Sequence, residues 1–175
     1  MSTIGLRGAK SLNPARWLGL PMLLCILATM IFATPVRVFG LGLPQPIFPL
    51  APAFAWAIIR PSILPPFALL LLGLFLDVFW GGPQGLWPLC LLAAYASILV
   101  VRRQITGHDF LVRWAWYAGA SAVALLAGFS LMTMTVGSPP NLIATLLVYY
   151  LPTLLLFPLA HWLIERYEDA DVRFR

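Results

Sequence analysis

Six apolar stretches, at 17–34, 46–59, 63–80, 86–101, 114–136 and 141–164, take up most of this 175-residue chain and leave only short polar segments between them. A helix that spans lipid needs about 20 apolar residues, slightly fewer where aromatics anchor its ends. Charged residues are 10% of the sequence and apolar ones 61%, against roughly 25% charged in an average soluble domain. A water-soluble fold of this size could not cover its surface with so few polar side chains. The runs are unbroken rather than alternating, which argues for helices over barrel strands. The expectation is an all-α integral membrane protein: about six transmembrane helices in one bundle, a single membrane domain over 1–175 with short cytoplasmic tails at 1–16 and 165–175. The first run follows Arg7, Lys10 and Arg16 and could pass for a signal peptide. No small-x-small cleavage site follows it and the hydrophobicity resumes at once, so a signal anchor is expected.

Basic residues set the orientation. With the N-terminus in the cytoplasm, the inner segments hold Arg7, Lys10, Arg16, Arg60, Arg102, Arg103, Arg113, Arg166, Arg173 and Arg175, and the outer loops hold only Arg37. This is a strong positive-inside bias, and dropping one pass would move Arg102, Arg103 and Arg113 outside. Both termini are expected inside. Trp17, Trp56, Trp114, Trp116 and Trp162 then flank the inner boundary, with Trp80 and Trp87 at the outer turn. The net charge of +5 comes from these scattered cations, with no basic run long enough for nucleic acid. Cys25 and Cys90 both fall inside apolar runs and read as small buried hydrophobes.

Proline is concentrated around the second run. Pro35, Pro44, Pro46, Pro49, Pro52, Pro61, Pro65 and Pro66 all lie within 35–66. Proline removes a helical donor and disfavours helix at the residue before it. Either the second pass is kinked, broken or partly re-entrant and packed against protein, or a long extended outer loop leads into a short helix.

Small residues mark where helices can approach closely. Ala120, Ala124 and Gly128 recur every four positions on the fifth run, and Gly73, Asp77 and Gly81 do so on the third. Asp77 is the acid within a span, about one turn from its outer end beside Trp80. At the bilayer centre an Asp costs roughly 2.5–3.5 kcal/mol on insertion scales, so a compensating partner is required. That partner could be the backbone N–H groups of the 81–85 turn, a polar group on another subunit, or a proton or substrate.

Catalytic constellations are expected to be absent. Gly128-Phe129-Ser130 resembles the GxS of an intramembrane serine protease, with His161 one span later. The topology puts Ser130 toward the outer half and His161 near the inner end, beyond the reach that a nucleophile–base pair needs. Ser130 is expected to be a packing hydroxyl and His161 to face Glu165. His108 and Asp109 have no third ligand near them in sequence, and the single lysine, Lys10, lies in no phosphate-binding loop. No catalytic residue, metal or cofactor is expected.

The string Gly73-Leu74-Phe75-Leu76-Asp77-Val78-Phe79-Trp80-Gly81-Gly82-Pro83-Gln84-Gly85 resembles the G-x-x-x-D-x-x-x-G-x-P-x-G stretch of MreD, the bacterial rod shape-determining membrane protein family. Chain length, the Pro-rich second span, the short outer turn and the basic Arg102–Arg103 loop are similar too. The motif carries over onto Gly73, Asp77, Gly81, Pro83 and Gly85; the tail after Glu165 has no counterpart in it. The resemblance implies a six-helix fold like that of the substrate-binding components of energy-coupling factor transporters. It also implies a non-enzymatic inner-membrane subunit of the cell-wall elongation machinery. Such a subunit pairs with the bitopic protein MreC and is linked through it to the MreB filament, to RodA and to the transpeptidase partner of RodA. At the motif, glycines would let a partner helix approach while Asp77 meets a polar group on it, the partner being internal or MreC. The alternative is a substrate-binding subunit of a vitamin-type transporter. That function needs a cavity with several polar groups near the outer face, where the sequence offers Asp77, Gln84, Ser130, Ser138 and Asn141.

Overall fold

The structure is a computed structural model and describes residues 15–32, 37–38, 41–42, 46–59, 62–105, 110–136, 141 and 146–172; for 15, 16, 37, 38, 41, 42, 146, 147 and 167–172 it describes the backbone alone. Arg7, Lys10, Pro35, Pro44, Arg60, Pro61, His108, Asp109, Ser138, Arg173 and Arg175 therefore lie outside the described residues.

The described residues are mostly helical, in six segments. A π-helical turn, Ala15–Gly19, leads into α1, Leu20–Phe32. Then come α2 (Leu50–Ile59), α3 (Leu64–Trp80), α4 (Leu86–Ile105) and α5 (Phe110–Val136). The sixth segment is broken into a π-helical turn at Leu146–Tyr150, α6 (Leu151–Leu154) and α7 (Phe157–Val172). A two-residue antiparallel ribbon pairs Arg37–Val38 with Leu41–Gly42. Among the described residues three helices are long and apolar enough to cross a membrane, Leu86–Ile105, Phe110–Val136 and Val148–Arg166; Trp17–Phe32, Leu50–Ile59 and Leu64–Trp80 are shorter apolar helices.

At the second run, the helix starts at Leu50, later than the apolar stretch, after a turn in which Leu50 N–H donates to the Ile47 carbonyl (3.1 Å). Every residue from Leu50 to Ile58 is buried. A helix apolar on all sides is one enclosed by protein or by lipid, and here the enclosure is protein: α4 on one side and α7 on the other. Alanine at 51, 53, 55 and 57 keeps the helix thin, while Phe54 and Trp56 fill the space between its neighbours. Trp56 is thus no boundary residue. Its indole N–H donates to the Trp17 carbonyl at 3.1 Å, and Trp17 is buried with it.

Around this centre, α4 packs between α3 and α5. The buried face of α3 is Pro65, Ala68, Leu69, Leu72, Gly73, Leu76 and Asp77, a stripe at helical spacing. Its other side, with Phe67, Leu71, Leu74 and Val78, is exposed and equally apolar. On α5 the small residues Ala120, Ala124 and Gly128 are buried, and a Cβ at Gly128 would lie 2.7 Å from Cys90 Sγ. That face is where α4 comes closest. The helix α1 docks through Pro21, Cys25 and Thr29, with Phe32 against Phe48 at 5.2 Å between ring centroids.

Candidate functional site

The MreD-like string covers the end of α3 and the turn that joins it to α4, and Gly73, Asp77, Gly81 and Gly85 each have a local physical task. The helix α3 ends at Gly81, which has φ 65° and donates its N–H to the Asp77 carbonyl (3.0 Å). Gly85 has φ 90°. Both sit in the left-handed region that a side chain with a Cβ resists, and a Cβ at either would meet nothing within 4 Å. Backbone conformation, not close packing, is what calls for glycine at 81 and 85. Gly73 is different. A Cβ there would lie 2.6 Å from Pro88 Cα and against Pro88 N, so this glycine lets the backbones of α3 and α4 touch.

Asp77 is buried at 4% exposure, and both its oxygens accept backbone N–H groups from the start of α4. Gly85 N–H donates to Oδ2 at 2.6 Å and Trp87 N–H to Oδ1 at 2.9 Å. A helix start leaves its first donors without intrahelical partners. Here Leu86 N–H finds the Pro83 carbonyl (3.2 Å), Leu89 N–H finds the Gly85 carbonyl (3.1 Å), and Pro88 has no N–H to satisfy. Asp77 takes the remaining two. A negative charge at this point also complements the positive end of the α4 dipole. Of the partners left open by the sequence, the one the geometry supplies is the 81–85 turn and the first turn of α4. The glycine groove is likewise filled from within, by Pro88. Trp80 and Trp87 close the turn with their rings edge-on at 4.6 Å.

A second polar cluster lies at the break in the sixth segment, outside every motif noted in the sequence. Thr153, fully buried, donates its hydroxyl to the Tyr149 carbonyl (2.6 Å) and accepts the Ile47 N–H (3.1 Å). Tyr117 O–H donates to the Thr153 carbonyl (3.0 Å), and Tyr150 O–H to the Ala118 carbonyl (3.0 Å). The chain thus ties the approach to α2 and the middle of α5 to one threonine. The available signal was Pro152 and Pro158 on either side of Thr153, since prolines inside a span free carbonyls that hydroxyls then satisfy.

The remaining sequence candidates stay apart. Ser130 is exposed on α5 and donates to the Leu126 carbonyl within its own helix (2.8 Å). His161 pairs with Glu165 on α7 (Nε2–Oε1 3.1 Å) and packs edge-on to Phe110 at 5.0 Å. Gln84 and Asn141 are exposed. An apolar groove of about 250 Å³ runs between α4 and α5, lined by Trp87, Cys90, Gly128, Phe129 and Tyr149 among others. Among the described residues no three His, Cys, Asp or Glu side chains gather as metal ligands. Comparison with known proteins finds no family model, no characterised protein and no solved structure that matches the chain.

Proposed function

We propose that this chain is a six-pass protein of the bacterial cytoplasmic membrane with both termini inside. We infer that it acts without chemistry of its own, as an MreD-like adaptor of the cell-wall elongation machinery. The observation that carries this reading is the use made of Asp77. Asp77, buried in α3, gives both oxygens to backbone N–H groups, which leaves it a part of the scaffold and not a group poised over a substrate. The G-x-x-x-D-x-x-x-G-x-P-x-G string then serves to build a rigid outer corner, as suits a protein whose work is to present helix surfaces to others. The partner is an MreC-like bitopic protein, and through it the MreB filament, RodA and its transpeptidase partner. Membrane lipid covers the rest, and nucleic acid has no place in this reading. The apolar outer sides of α1 and α3, with Leu23, Leu27 and Ile31 on one and Phe67, Leu74 and Val78 on the other, fit lipid or a partner helix and do not fit water.

Depletion in a rod-shaped host tests the role. Cells are expected to widen and round while nutrient uptake stays intact, and the tagged protein is expected to co-purify with the MreC-like partner. Rods that persist while uptake of one nutrient is lost would replace the adaptor with a transporter subunit. Topology has its own test: reporter fusions after Arg103 and Arg175 should read cytoplasm and one at Gly82–Gln84 the exterior. An exterior signal after Arg103 would remove both the pass count and the orientation.

A further inference from the structure

We propose that the end of α4 opposite the Asp77 corner binds the phosphate head of an anionic phospholipid, gripped by the guanidinium groups of Arg102 and Arg103. The inference rests on the membrane reading above but not on the adaptor role. In the last turns of α4 a recess of about 500 Å³ is lined by Leu99, Val100, Arg102 and Arg103. Among the described residues its walls are of two kinds, two cations and two aliphatic side chains, and Val100 is 84% exposed. That pairing matches an amphiphile with an anionic head and an apolar chain, and it matches neither a free anion nor a hydrocarbon alone.

The electrostatics favour the head. The carboxyl end of a helix carries about half a negative charge, and two full positive charges there outweigh it. Guanidinium forks hold phosphate oxygens in pairs. Arg102 already has an interaction inside the protein, yet five N–H donors leave others for a ligand. Two turns earlier on α4, Tyr95 is buried with its hydroxyl against the Ser62 backbone, which holds this part of the helix against the start of α3. In the proposed orientation this end faces the cytoplasmic leaflet, where anionic lipids concentrate.

Thermal unfolding of the purified full chain in neutral detergent tests the site, with phosphatidylglycerol, phosphatidylcholine or inorganic phosphate added in turn. Phosphatidylglycerol is expected to raise Tm by about 5 °C over phosphatidylcholine, and Arg102→Gln with Arg103→Gln to remove most of that rise. Arg166→Gln takes away a guanidinium stacked on Trp162 at 5.3 Å and should leave the rise in place. If the glutamine pair does not fold, Arg102→Lys with Arg103→Lys decides: a smaller rise supports the paired grip, and an undiminished one overturns it. The proposal also falls if phosphatidylcholine protects equally, if inorganic phosphate alone gives the full shift, if the glutamine pair keeps it, or if Arg166→Gln abolishes it. None of these outcomes depends on whether an MreC-like protein co-purifies.

Discussion

The corner between α3 and α4 and the junction around Thr153 solve the same problem with different chemistry. Each is a place where a helix starts or stops inside an apolar bundle and leaves backbone donors to be satisfied. At the corner, one charged side chain eight and ten residues away takes two N–H groups. At the junction, a neutral hydroxyl takes one N–H from 106 residues away, and a second hydroxyl, on Tyr117, takes the carbonyl beside it. The corner is local and self-contained. The junction exists only when α5, the approach to α2 and the sixth segment have already met. The corner should therefore be the stiffer of the two and the costlier to disturb.

Substitutions at four positions probe that difference, the most damaging first. Gly73→Leu forces a side chain into the Pro88 backbone, which cannot yield as a side chain can. Overpacking usually costs about 1–3 kcal/mol, and here the upper end or more is expected, seen as loss of the monodisperse peak in size-exclusion chromatography. A variant that elutes and melts like wild type would mean that α3 and α4 are not in backbone contact. Asp77→Ala comes next, because it strands two part-buried donors at about 1 kcal/mol or more each. A fall in Tm of about 5–10 °C is expected. Asp77→Asn should fall between, since it keeps one acceptor and turns an amide N–H₂ toward the other donor. Equal melting of Asp77→Ala and wild type would end the comparison.

Thr153→Val removes an acceptor for one N–H and should cost about 1–3 kcal/mol, with Thr153→Ser near wild type; hydrogen exchange should rise at Ile47 more than at Gly85. If Thr153→Val proves more harmful than Asp77→Ala, the junction and not the corner is the stiff element. Gly81→Ala is the mildest, at about 1–2 kcal/mol for holding a Cβ in the left-handed region. Gly81→Asn should recover part of the loss in the same melting curve, which a steric role for Gly81 would not allow.

The two regions also differ in how far the sequence discloses them. At the corner, the four-residue spacing of Gly73, Asp77 and Gly81 and the presence of Pro83 state a helix end, a turn and a buried acid in one short string. What the string does not state is that the three glycines serve two purposes, because φ at 81 and close approach at 73 both read simply as Gly. The clustering of prolines around the second run pointed to irregular backbone there, and the described part of it is a ten-residue helix enclosed by α4 and α7, led in by a tight turn at 46–49. Trp56 was illegible, since aromatic residues near the end of an apolar run serve a bilayer boundary and a protein interior equally well. Thr153 was illegible for another reason. Its partners Ile47 and Tyr117 are remote in sequence, and no periodicity links residues that only tertiary packing brings together. The pairing of His161 with Glu165, one helical turn apart, could be read directly and is present.

The enclosure of α2 bears on how the chain is made. Ten residues of helix rise about 15 Å, half of a hydrocarbon core of about 30 Å. In the six-pass reading proposed above, the segment emerging from the ribosome is thus too short to be left across the bilayer as an independent span. The threonine that receives its leading N–H is synthesised more than ninety residues later. Biogenesis should accordingly have two stages, with α2 waiting at the membrane surface or in the insertion machinery until α4 and the sixth segment arrive to surround it. A chain truncated after Val136 should leave a cysteine placed at Ala53 open to a water-soluble thiol reagent, whereas the full chain protects it; protection in both would mean that α2 inserts without its later neighbours.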